Sequence, residues 1–157
     1  MKKNKNGSAV FIVSEGKLLL ILRDDKPTIS NPSRYALPGG GAKKKETGIG
    51  TIIRELNEEL SLKVSEKHVR EIGVERIGDK NYNFFFLLQC TQKQKYAMKL
   101  KEGQSMKFCL IQEIQLLLLA GNNKNGLGGA IFRLMSRSPD VVSNILSDPD
   151  SFKFFHI

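Results

Sequence analysis

Residues 40–62 read Gly40-Gly41-Ala42-Lys43-Lys44-Lys45-Glu46-Thr47-Gly48-Ile49-Gly50-Thr51-Ile52-Ile53-Arg54-Glu55-Leu56-Asn57-Glu58-Glu59-Leu60-Ser61-Leu62. From Thr47 to Leu60 the apolar residues recur with a helical period. Ile49, Ile52, Ile53, Leu56 and Leu60 fall within about 100° of one another at 3.6 residues per turn, and that stripe needs a core to face. Thr47 is placed to cap the helix start, while Gly48 and Gly50 weaken the first turn. Glu55, Glu58 and Glu59 share an arc on the side away from the stripe, at spacings i, i+3 and i+4. Such like-charge pairs repel. Clustered carboxylates become favourable when a hard divalent cation sits between them, because magnesium takes oxygen ligands and leaves positions for substrate phosphate oxygens. The alternative is an ordinary acidic, solvated helix face.

The spacing narrows that choice. Gly40 is followed after five residues by Glu46, and after seven more by Arg54-Glu55-Leu56, then Glu58-Glu59 and Leu62. This resembles the Nudix box: glycine, five residues, glutamate, seven residues, then Arg-Glu-aliphatic-any-Glu-Glu-any-Gly-aliphatic. Every position matches except Ser61, which stands where the family has glycine. Leu37-Pro38-Gly39-Gly40 just ahead, and Leu22-Arg23-Asp24-Asp25 with Pro27, are also similar to the family.

The resemblance implies an α/β protein of the Nudix type, an α/β/α sandwich with a mixed sheet, formed as one domain over residues 1–157. It implies a loop–helix–loop that binds Mg2+, or Mn2+ in its place. Glu55, Glu58 and Glu59 would be the metal ligands, with the backbone carbonyl of Gly39 or Gly40 beside them. Gly40, Glu46 and Arg54 would be structural, Arg54 pairing with a loop carboxylate. The implied reaction is hydrolysis of a pyrophosphate bond in a nucleoside diphosphate linked to another group. A nucleoside triphosphate, an oxidised nucleotide and a nucleotide-sugar all satisfy that description. The general base would be Glu55 or Glu58, or a carboxylate from a later loop, for which Glu102 in Lys101-Glu102-Gly103-Gln104 is the candidate. Arg23 and Lys43 are candidates for substrate phosphates, and Lys43 to Lys45 for an RNA backbone; a solvated loop is the plainer reading of the lysines. Ser61 costs about 1 kcal/mol if a left-handed turn is kept, so a slightly altered helix end is expected.

Outward from this stretch, Ser8–Ser14 and Lys17–Arg23 read as a hairpin about Glu15-Gly16, and residues 24–34 as a polar loop. Val69–Gly78 and Asn81–Cys90 read as two further strands and Met106–Ile111 as another. Gln92–Lys101 reads as a loop, and 112–119, 129–136 and 140–147 as helices. Tyr82, Phe84 and Phe86 alternate on one strand face with Phe85 on the other, which suits core packing better than base stacking. The Phe-rich segment Ser151–Ile157 fits either packing on the body or a homodimer contact.

The chain has 157 residues, a formal net charge of +9 and 40% hydrophobic residues. That is enough apolar content for a packed core, so wholesale disorder is excluded. No apolar run approaches the roughly 20 residues that span a bilayer, so no membrane partner is expected. Met1-Lys2-Lys3 is not followed by a signal-type apolar run, and Cys90 and Cys109 form no CxxC pair, so a cytoplasmic location with reduced thiols is expected. The basic excess favours phosphate-bearing partners generally. It also motivates an alternative function, a non-catalytic Nudix-like module that binds nucleotide or RNA. The intact Glu55, Glu58 and Glu59 set speaks against that alternative, because a binding module has no need of three repelling carboxylates.

Overall fold

A computed structural model describes residues 6–157; Lys2, Lys3 and Lys5 of the basic N-terminal stretch lie outside the described residues. The chain runs β1 (Gly7–Ser14), β2 (Lys17–Leu22), β3 (Tyr35–Ala36), β4 (Gly39–Gly41), α1 (Gly48–Leu60), a 3-10 turn (Glu66–His68), β5 (Val69–Ile77), β6 (Asn81–Gln89), α2 (Gln92–Ala97), β7 (Ser105–Cys109), α3 (Ile111–Leu119), α4 (Gly129–Arg137), α5 (Pro139–Ser147) and β8 (Phe155–His156). The strands form one mixed sheet in the order β3-β2-β1-β6-β5-β8, with β4 paired to β1 and β7 to β2. β1 is the centre. It pairs in parallel with β6 from Gly7↔Asn83 to Val13↔Gln89 and antiparallel with β2 and β4. Its turn to β2 has positive φ at both Glu15 and Gly16, the two-residue turn whose twist matches paired strands.

Because side chains alternate along a strand, β1 and β6 feed two cores. Val10, Ile12, Phe86 and Leu88 face α1, whose Ile52, Leu56 and Leu60 are fully buried among them. Ala9, Phe11, Phe85 and Leu87 face the other way, into a layer closed by Ile114 of α3, Ile131 and Leu134 of α4 and Ile145 of α5. The result is the α/β/α sandwich with a mixed sheet that the sequence leads one to expect.

Four details differ from the sequence reading or settle what it left open. Gln92–Lys101 is not wholly loop, since Gln92–Ala97 forms α2. Thr91 and Gln94 make a reciprocal capping box there, and the absence of an apolar stripe hides so short a helix. The end of α1 is not altered by Ser61. The serine adopts φ 54°, its N–H reaches Asn57 O at 3.1 Å and that of Leu62 reaches Leu56 O at 3.1 Å, the hydrogen-bond pair that normally closes on glycine. The Phe-rich C-terminus packs on the body: β8 adds in parallel to β5, and Phe155 seats directly over Gly73, where any Cβ would run into its ring. Among the aromatic residues of β6, Phe85 and Phe86 are core, whereas Tyr82 is exposed and stacks on Phe84. No helix among the described residues is long and apolar enough to cross a membrane.

Candidate active site

The loop that enters α1 is tied down by Glu46 and Arg54. Arg54 donates from Nε to Glu46 Oε1 at 2.8 Å and from Nη2 to Glu46 Oε2 at 3.0 Å, a fork-on-fork pair, and Nη2 also reaches Gly41 O at 3.0 Å. Glu46 Oε2 further accepts from Lys43 N and Thr51 Oγ1, each at 2.9 Å. Chiefly because of Arg54, the Glu46 carboxyl is pulled down to about 2. Thr47 caps the helix by accepting from Gly50 N at 3.1 Å.

The carboxylate arc of α1 lies beside this anchor. Arg54 Nη1 donates to Glu55 Oε1 at 2.7 Å and to Glu58 Oε2 at 3.0 Å. Glu58 is the more exposed, with Lys43 Nζ 3.5 Å from its Oε1. Glu59 is 8% exposed, and its Oε1 accepts from Gly39 N at 2.8 Å. Burial raises the pKa of Glu55 and pushes that of Glu59 up to about 8; the neighbouring Glu102 adds to both. Strand β4 is glycine for a reason of space: a Cβ at position 39 would run into the backbone of β1, and one at position 40 into the Glu55 carboxylate. Among the described residues no three His, Cys, Asp or Glu side chains stand gathered as a cation cage. The oxygens of this arc are turned to Arg54 and to Gly39 N instead.

Glu59 opens on a cleft of about 330 Å3 that Arg23, Lys26, Lys101 and Glu102 also line. Glu102 reaches it because its loop is fastened at both ends. Lys101 N donates to Glu59 O at 2.8 Å, and Gln104 donates from N to Leu22 O and from Nε2 to Arg23 O, each at 2.8 Å. Between them Gly103 has φ +98° and sits so close to Leu22 O that a side chain has no room. A second cavity, about 400 Å3, adjoins Gly39 and Gly40 on the other side and shares Arg23 as a wall.

The sequence candidates therefore divide. Glu55, Glu58, Glu59, Gly39, Gly40, Glu46, Arg54, Arg23 and Glu102 converge on one region. Lys43 lines neither cavity and stands over Glu58. Lys26 and Lys101 were missed as cleft residues. Lys101 sits next to the flagged Glu102, but nothing in sequence marks Lys26, whose position depends on how residues 24–34 fold.

The sandwich and the acidic helix anchored by Arg54 are those of a Nudix pyrophosphohydrolase. The NUDIX domain model matches residues 3–127, and the chain belongs to that family. Solved structures agree in fold. A NUDIX hydrolase from Nitrosomonas europaea superposes with TM-score 0.64 at 16% identity, over 99% of this chain and 78% of that one. An ADP-ribose pyrophosphatase from Streptococcus suis gives 0.58 at 14% identity, over 98% of each chain. A MutT/nudix family protein from Enterococcus faecalis gives 0.55 at 17%, over 69% of this chain, which spans only 44% of the length of that protein. Among curated proteins, none matches the sequence.

Proposed function

We propose that the chain hydrolyses a pyrophosphate bond in a nucleoside diphosphate linked to another group, such as a nucleoside triphosphate, an oxidised nucleotide or a nucleotide-sugar, with a divalent cation. One observation carries this reading: Glu59 of the acidic helix, Glu102 and Arg23 line one cleft, and Arg23 is also a wall of a ligand-sized cavity bordered by Gly39 and Gly40. The whole chain acts as one domain on this reading, because α4 and α5, which follow the matched stretch, close the same core as β1 and β6.

The donor set fits a hard dication. It consists of oxygens only, three carboxylates and a backbone carbonyl, and the carboxylates would turn from Arg54 and Gly39 N to hold the ion. Glu55, Glu58, Glu59 and the carbonyl of Gly39 would hold magnesium or manganese. When bound, the ion neutralises phosphate charge and lowers the pKa of the attacking water.

The protein's own groups do the rest. Arg23, Lys26 and Lys101 supply positive charge along the cleft for the phosphate oxygens. Glu102 accepts the proton of the water that attacks phosphorus in line with the leaving oxygen. Arg54 and Glu46 hold the loop against the helix so that these groups keep their places.

The test is phosphate and pyrophosphate release from a panel of nucleoside triphosphates, oxidised nucleotides and nucleotide-sugars, with magnesium and with manganese, for wild type, Glu58→Gln and Glu59→Gln. Turnover of a substrate that both variants lose supports the hydrolase. No turnover by wild type across the panel would overturn it in favour of nucleotide binding without chemistry.

A further inference from the structure

The second cavity has a polar floor at one end of an otherwise apolar sheet face. The register sets Gly7 of β1 against Asn83 of β6 and Asn83 against Glu75 of β5, so these three form one row across three strands. The next row is Ala9, Phe85 and Gly73, which belongs to the core. Gly7 has no side chain to cover the row, and a Cβ there would lie 3.0 Å from Asn83 Oδ1. Asn83 is 7% exposed and Glu75 is 1% exposed. The Asn83 carboxamide has no hydrogen-bond partner among the described residues, and Glu75 Oε2 is buried without one.

Arg133 of α4 crosses to this row and donates from Nε to Glu75 Oε1 at 2.5 Å. A buried carboxylate with one oxygen unpaired holds its cation tightly, because releasing it leaves an uncompensated charge. The bond uses Nε alone, and the two Nη groups have no partner among the described residues. Arg133 and Asn83 both line the cavity, together with Arg23, Gly40 and the apolar side chains of Leu37 and Ile77. Its volume of about 400 Å3 suits a small-molecule ligand. Unsatisfied planar donors and acceptors beside apolar walls suit a flat heterocycle better than a sugar.

We propose that this cavity selects a 6-oxopurine base, guanine or hypoxanthine, with Arg133 donating to O6 and N7, Asn83 Oδ1 accepting from N1–H, and Glu75 positioning Arg133. The assignment rests on the hydrolase reading for where the phosphates lie. Its chemistry comes from the donor inventory: a guanidinium has donors and no acceptor, and bidentate arginine on O6 and N7 is its usual match to a base edge. Adenine carries an amino group where guanine has O6, so donor would face donor and both would be left unpaired. The base preference is thus enforced by rejection as well as by attraction.

The experiment measures equilibrium binding of GMP, IMP and AMP, which contain no anhydride to cleave, to the full chain with magnesium. Wild type should bind GMP and IMP about ten-fold or more tighter than AMP. Arg133→Gln should bring the three within about two-fold, since glutamine both donates and accepts. Glu75→Gln should narrow the preference in the same direction, with its melting curve recorded to show that it folds. Equal binding of the three by wild type, no binding, or a preference that survives Arg133→Gln would overturn the proposal. GTP turnover is followed in parallel. A retained GMP preference with no turnover of GTP or of any other member of the nucleotide panel defeats the hydrolase reading alone, and turnover without base preference defeats this one alone.

Discussion

Arg54 grips Glu46 with two parallel hydrogen bonds, 2.8 Å from Nε and 3.0 Å from Nη2, while its remaining nitrogen bridges Glu55 and Glu58. One side chain thereby fixes the entry loop, the helix and the spacing of two acidic groups. Lysine offers a point charge and no planar fork, so it cannot make these contacts together. Arg54→Lys is expected to lower kcat/KM at least ten-fold and to leave the fold intact by circular dichroism. Equal activity in the variant would refute this account of the loop.

The same pair predicts a pH signature. The Glu46 carboxyl ordinarily titrates at 4.5 and is held at about 2 in the folded chain. A depressed carboxyl stabilises the fold fully above 4.5, and that contribution is lost as pH falls from there toward 2. Denaturation by urea at a series of pH values should show wild type losing stability over that window. Glu46→Gln should be less stable than wild type at pH 7 and show a shallower slope below 4.5.

Glu102 enters the cleft on a loop clasped at Glu59 and Arg23. If it takes the proton from water, Glu102→Gln should cut kcat by about 10²- to 10⁴-fold with KM little changed. A variant that keeps its kcat would move the base to α1.

Ser61 holds φ 54° at the end of α1, and its hydroxyl makes only a 3.3 Å hydrogen bond to Lys99 O. Glycine adopts that conformation without the Cβ clash. Ser61→Gly should therefore stabilise the chain by roughly 0.5–1 kcal/mol in chemical denaturation and leave turnover unchanged.

Phe155 occupies the space that a Cβ on Gly73 would need. Gly73→Ala should destabilise by about 1–3 kcal/mol and loosen β8. In a double-mutant cycle with Phe155→Ala, the two losses should fall well short of additive, because the second substitution removes the clash. Simple additivity would show that the ring is not what the glycine accommodates.

Much of this molecule can be read from local pattern. The α1 stripe, Thr47 cap and carboxylate arc all follow from the period of one helix, and the alternation in β6 separates Phe85 from Phe86. Glu102 is not legible from local pattern; only the family resemblance, in which some members carry the base in a later loop, points to it. Short α2 escaped because a six-residue helix has no periodicity to detect, although Thr91-x-x-Gln94 carried the capping signal. Lys26, Asn83 and Arg133 were invisible for a different reason. Each becomes a cavity residue only when distant elements meet: the 24–34 loop on the cleft, and α4 on the ends of β5 and β6. Sequence spacing encodes what one element does to itself, and these sites are made between elements.

The sheet lies between α1 on one face and α4 on the other, and Arg23 is the wall common to the cavities that open beside them. On the proposed readings, the acidic helix that would hold the metal and the Arg133 that would face the base are thus borne on opposite layers. If so, drift in α4 would retune which molecules are accepted without disturbing the acidic helix, and a library randomised there would sample new diets at constant chemistry. Arg23 is the exception. It belongs to both halves, so it should tolerate the fewest replacements in any such selection.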